Sequence, residues 1–263
     1  MKLQGDSIPD RMAISLSGLS SLDKSKLMML EMLAHANWER PLYVAYTVGE
    51  ENYMNLGDNF VQEGLTNRIT PFTTNIDGRV VNGMTNFDTE KTYYNVMDRF
   101  KFGGANTPGI YLDETVMRMC YTHRRLLVKL ASNLIEEGDS VKAAKVLERC
   151  EQELPAANVP HDYQGSSIEM AQTYALLGND EKAREVLQAL WDYSDQYMTF
   201  YNSLQGVQFK NSESSCHLHM FYIMQRLISI ADIFDSDLAD KYEARLEEQA
   251  RIFVAKGGRM PQY

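Results

Sequence analysis

The chain has 263 residues, 44% of them hydrophobic and 24% charged, which is enough to bury a sizeable core and excludes a disordered or collagen-like chain. Its 36 Asp and Glu outnumber its 26 Lys and Arg, leaving a formal net charge of −10. That excess repels a phosphate backbone or an anionic membrane surface, so nucleic acid is not an expected partner.

Residues 1–22 carry Asp6, Asp10, Arg11 and several serines and do not read as a signal peptide. A helix is expected over residues 22–37, amphipathic or largely buried, entered through Ser21 or Asp23 and stopped ahead of Pro41, which disfavours helical geometry in the residue before it. Its apolar run is interrupted by Glu31, far short of the roughly 20 apolar residues of a membrane span. Residues 42–48 read as a strand. Tyr53, Leu56 and Phe60 have helical spacing, with Gly64 as the breaker. Asp77-Gly78, between residues 69–76 and 79–81, is a hairpin signal, and residues 88–100 are helical again. Residues 1–110 are therefore expected to form a small α+β domain.

Gly103-Gly104, Pro108 and Gly109 mark the passage into residues 111–263, with Asp113 as cap of the first long helix. From Arg124 to Pro155 the chain follows the tetratricopeptide template. Packing sites hold Leu127, Leu130, Ala131 and Leu134, the turn holds Gly138, and Ala143, Leu147 and Cys150 follow. The small residues allow two antiparallel helices to approach, and Gly138 can take the left-handed conformation that closes a helix. At an offset of about 40 residues, longer than the usual 34, Met170, Ala171, Tyr174, Gly178, Ala183, Leu187 and Leu190 repeat the pattern. The helix after Asn179 or Asp180 meets no breaker until about Gly206. A third, weaker pair is expected at residues 214–234 and 236–254. The expected class is thus α+β, mostly helical: a small α+β amino-terminal unit followed by tetratricopeptide-like antiparallel helix hairpins.

Three motifs resemble one family. Residues 37–43 read Asn-Trp-Glu-Arg-Pro-Leu-Tyr. Glu63-Gly64-Leu65 is followed by Arg68 and Pro71, and Phe102-Gly103-Gly104 leads to Pro108-Gly109-Ile110-Tyr111-Leu112-Asp113-Glu114. In this order they resemble the soluble carboxy-terminal region of Bacteroidetes multi-pass membrane proteins described as protein O-mannosyltransferase-like, which ends in tetratricopeptide repeats. The resemblance implies a periplasmic domain of an inner-membrane, glycosyltransferase-like protein. The catalytic acids of such proteins belong to a multi-pass half that this sequence does not include, so no catalytic residue is carried over and this chain is expected not to be an enzyme.

Cys216, His217 and His219 suggest zinc, but on an α-helix the two histidines are about 200° apart, so neither a metal nor another cofactor is expected. Cys120 and Cys150 are six residues out of step about Gly138, about 9 Å along the axis, beyond the reach of a disulfide. Glu213, Ser214, Ser215 and His217 lack the glycine-flanked elbow of a nucleophilic serine. Adjacent acids, Glu50-Glu51 and Asp113-Glu114, point apart and suit helix starts better than glycoside cleavage.

What remains is recognition. Template positions on the concave face hold Arg125, Ser132 and Glu136 in the first repeat and Gln172 in the second, a polar set suited to peptide. Tyr193, Tyr197, Phe200 and Tyr201, preceded by Trp191, form a stripe that either packs internally or offers aromatic faces to a partner. The expected partner is protein or peptide, the membrane half of the parent chain among the possibilities. A glycan-binding accessory role and an independent tetratricopeptide scaffold are the alternatives.

Overall fold

The computed structural model describes residues 11–72, 75–76, 79–80 and 86–260. The chain divides into two compact units, Met1–Lys101 and Phe102–Tyr263, and its class is the mostly helical α+β expected.

In the first unit, α1 (Lys24–Ala34) starts where the Asp23 carboxylate accepts from the Lys26 amide at 2.9 Å, satisfying a free helix-end donor. Leu33 of α1 is buried with Met29 and Leu30 packed against the same core, and Leu27, Met28 and Met32 are exposed, so of the two expectations the helix packs by one face and is not largely buried. Strand β1 (Tyr43–Ala45) pairs with β3 (Thr66–Ile69), which pairs on its other edge with β2 (Phe60–Gln62), all antiparallel in the order β1-β3-β2. Arg68 thereby sits opposite both Tyr43 and Val61.

The helix expected around Tyr53, Leu56 and Phe60 does not form. Met54 and Asn55 have φ of 50° and 59°, a left-handed pair that no α-helix tolerates. The stretch instead makes 3₁₀ turns at Glu50–Asn52 and Gly57–Asn59 and runs into β2. Its apolar residues still reach the core of Leu33, Met54, Leu56, Phe60 and Ile69, by turn geometry rather than helical period. Gly64, with φ of 90°, turns the β2–β3 hairpin. Strands β4 (Asn75–Ile76) and β5 (Arg79–Val80) pair antiparallel, and the expected turn residues Asp77-Gly78 lie outside the described residues. Helix α2 (Thr89–Tyr94) is capped by Asp88 and continues into a π-helical turn at Asn95–Arg99.

The second unit is built of helix hairpins: α3 (Glu114–Glu136) with α4 (Ser140–Glu153), then α5 (Ser167–Leu176) with α6 (Asp180–Ser203). Every packing position named from the repeat pattern is buried. Both inter-helix turns are Schellman closures. At the first, Asp139 N donates to Leu134 O at 2.7 Å and Gly138 N to Ile135 O at 2.9 Å; at the second, Asn179 N donates to Tyr174 O and Gly178 N to Ala175 O, each at 3.0 Å. Gly138 and Gly178 have φ of 85° and 72°, where a Cβ would be strained. Asp139 and Asn179 then cap the following helices.

Two short helices, α7 (Gly206–Asn211) and α8 (Glu213–His217), precede a π-helical stretch at Leu218–Met224 that runs on into α9 (Gln225–Ala231). Helix α10 (Ser236–Ala255), capped by Asp235, packs back on α9 and α6 as the third hairpin. The π-helical stretch widens the backbone by one residue per hydrogen-bonded ring, which a 3.6-residue pattern does not encode. The three cysteines are buried and free.

Candidate functional site

Two regions hold the residues that chemistry could use, one in each unit. In the first, Glu63 at the end of β2 is the buried centre, its side chain only 2% exposed. Arg68 on β3 pairs with it at 2.8 Å, the Tyr43 hydroxyl donates to it at 2.9 Å, and Lys91 on α2 donates to the same carboxylate oxygen. Burying one carboxylate is tolerable because cationic and hydroxyl donors converge on it. Desolvation pulls the Lys91 pKa down, but Glu63 and the Tyr43 hydroxyl together outweigh it, and the ammonium titrates above its ordinary value.

Arg68 and Lys91 form part of the wall of a cleft of about 310 Å³, which is also lined by Trp38, Glu39, Arg40, Pro41 and Ile69–Phe72. Asn37 and Trp38 both have positive φ, 46° and 56°. For a residue as bulky as Trp this is a costly conformation, of a kind that concentrates at binding sites. The Trp-Glu-Arg-Pro motif and the Glu63…Arg68…Pro71 motif, far apart in sequence, thus meet on one cleft and the charge cluster behind it. Lys91 joins them with no signal in its own neighbourhood to announce it.

In the second unit, the residues named from the repeat template are spread along two helices. Arg125, exposed on α3, donates to Gln164 O at 3.3 Å and to the Thr122 hydroxyl at 3.0 Å. The Ser132 hydroxyl is 3.1 Å from that of Thr173, joining α3 to α5. Glu136 and Gln172 are exposed. A cavity of about 620 Å³ opens elsewhere, between α4 and the α5–α6 turn, lined by Val141, Lys145, Glu148, Tyr174 and Lys182 among others.

The tyrosine stripe of α6 closes on a residue from the third hairpin. The His219 ring stacks on Tyr197 at 5.0 Å and 9°, with Tyr193 at 5.8 Å and Tyr201 at 6.1 Å. His219 is 4% exposed and its Nδ1 has no hydrogen-bond partner among the described residues. Burial pushes its pKa down to about 4, so it is neutral at pH 7. Trp191 is also engaged, stacked on Tyr242 at 3.8 Å. Phe200 remains exposed, and Tyr197 partly so.

Of the other polar groups, His217 and Glu213 have structural partners. His217 Nε2 lies 2.7 Å from Arg259 O, and Glu213 accepts from the Arg259 amide at 2.8 Å, fastening residue 259 to α8. Among the described residues no cluster of three or more His, Cys, Asp or Glu could hold a metal.

The residue the sequence undervalued is Arg124. It is 1% exposed, and its guanidinium donates to the carbonyls of Leu154, Val159 and Pro160. It thereby pins the segment joining the first two hairpins.

The decisive likeness concerns the first unit. Residues 1–91 match the family model of TMEM260-associated domain 2. This ties the amino-terminal third of the chain to a glycosyltransferase-like membrane protein, TMEM260 being a protein O-mannosyltransferase-like family. The match ends within α2, at Lys91, and contains every residue lining the 310 Å³ cleft. Comparison with curated proteins and with solved structures gave no match. Among the described residues no helix is long and apolar enough to cross a membrane.

Proposed function

We propose that this chain is a non-catalytic, periplasmic part of a membrane glycosyltransferase-like protein, and that its helix hairpins are tetratricopeptide-like units that engage polypeptide. The observation that carries the reading is the TMEM260-associated match of residues 1–91, followed in the same chain by hairpins with paired Schellman turns and buried template positions. In repeat stacks of this kind each hairpin packs on its neighbour, and the exposed polar residues of the first helices form a continuous surface. Arg125, Glu136 and Gln172 stand on that surface.

The test uses the purified chain against arrays of peptides and of oligosaccharides. Peptide binding that is lost in Arg125→Glu/Gln172→Lys, with unchanged thermal stability, supports the reading. Binding of oligosaccharide alone replaces it with the glycan-accessory role, and sugar transfer by the chain itself overturns the non-catalytic assignment. Protease accessibility in spheroplasts of the native host tests the compartment: resistance to added protease refutes a periplasmic location.

A further inference from the structure

We propose that the cleft of the first unit is a binding site for a small organic anion, a carboxylate or phosphate ester carrying an apolar body. This stands apart from the polypeptide reading, which concerns the second unit. The lining brings three cationic side chains, Arg40, Arg68 and Lys91, to one cavity against a single lining carboxylate, Glu39, in a chain whose net charge is −10. Of the three, Arg68 and Lys91 are anchored from behind by buried Glu63, which fixes their positions before any ligand arrives. Such preorganisation lowers the ordering cost of binding. Lys91 remains 42% exposed at its side chain and forms part of the cleft lining.

Arg40 is exposed and makes no ion pair among the described residues. Its planar fork is suited to a two-oxygen anion. Glu39, also exposed and without an ion pair among the described residues, stands beside it at the rim, and its charge moderates the site without cancelling it. The remaining wall is apolar: Trp38, Pro41, Ile69, Pro71 and Phe72. A bare ion would leave that wall unused, whereas an anionic group on an apolar body would cover both parts. The left-handed Asn37-Trp38 pair is the strained element that presents Trp38 and Arg40 together. A volume of about 310 Å³ falls at the small end of ligand pockets, which fits a compact molecule rather than a polymer.

Isothermal titration of the full chain with cyclohexanecarboxylate, its neutral counterpart cyclohexylmethanol, and inorganic phosphate tests this. Saturable binding of cyclohexanecarboxylate is expected, with phosphate weaker and the alcohol at least about tenfold weaker, the equivalent of one charge-assisted contact. Arg40→Gln should weaken the carboxylate about tenfold and Arg40→Glu should abolish its binding. Because Arg40 is exposed and makes no ion pair among the described residues, circular dichroism of both variants should match the parent, and a variant that fails this check is replaced by Arg40→Met, expected to weaken the carboxylate at least about tenfold. Equal binding of acid and alcohol, binding unchanged in a folded Arg40→Glu, or no heat with either anion overturns the proposal.

Discussion

Replacing Arg124 by Met should destabilise the second unit. The methionine fills much of the same volume, so the loss is chiefly of the guanidinium. Three carbonyls, those of Leu154, Val159 and Pro160, then lose their donor. Leu154 and Val159 are 3% and 0% exposed, so water cannot readily replace it. Each buried acceptor left unpaired costs about 1–3 kcal/mol. Against that, removing a buried cation relieves a desolvation penalty of several kcal/mol. Two buried acceptors cost about 2–6 kcal/mol together, and the relief leaves a net destabilisation of about 1–3 kcal/mol, a sizeable part of the ~5–15 kcal/mol that holds a typical domain folded. Urea denaturation followed by fluorescence measures it, with the red shift of Trp191, buried against Tyr242, reporting the second unit. Arg124→Lys should recover part of the loss, because an ammonium reaches one or two of the carbonyls. A loss below about 1 kcal/mol in Arg124→Met would refute the argument, since the linker would then be held without its buried donor.

Three further outcomes are expected. Glu63→Gln should destabilise the first unit by about 3–5 kcal/mol by leaving Arg68 and Lys91 without their shared buried carboxylate, measured by urea denaturation with Trp38 emission as reporter. The second unit should lose stability on acidification. His219 and His161 both have pKa values lowered from 6.5 to about 4, by burial in each case and additionally by the Arg124 charge for His161. The unfolded chain therefore binds more protons between these limits, so the contribution is complete above pH 6.5 and disappears as pH falls toward 4. It amounts to at most about 3 kcal/mol for His219, and thermal melts of His219→Phe should show a shallower fall over that window. Tyr197→Ala should cost about 1–3 kcal/mol by removing the ring stacked on His219. Retained stability together with lost ligand binding would mark the stripe as a recognition surface instead.

Local rules carried the second unit a long way. Gly138 and Gly178 closed helices because only glycine meets no Cβ penalty at their φ values, and Asp113, Asp139, Asn179 and Asp235 capped them because short oxygen-bearing side chains reach the free amides. Those are short-range effects, legible wherever the residues stand in order. The same rules failed at residues 53–60, where apolar residues at helical spacing were recruited by turns and a strand. They also gave no warning of the π-helical stretch at Leu218–Met224, whose extra residue is what the tyrosine–His219 packing accompanies.

The cleft was visible in the sequence only as pieces. Trp38-Glu39-Arg40-Pro41 and Glu63…Arg68…Pro71 could be picked out as motifs, but nothing in their spacing says that they face one another, and Lys91 belonged to neither. Sheet register brings them together: Arg68 lies opposite Tyr43 and Val61, which places residues flanking three strands within reach of one carboxylate. Arg124 was likewise readable as a repeat position and unreadable as a buried donor, because its acceptors lie 30 to 36 residues away. Helix ends, turns and packing stripes depend on neighbours within a few residues, so the amino-acid order determined them. Burial of a charge depends on what the rest of the chain places around it, and that was decided only when the units closed.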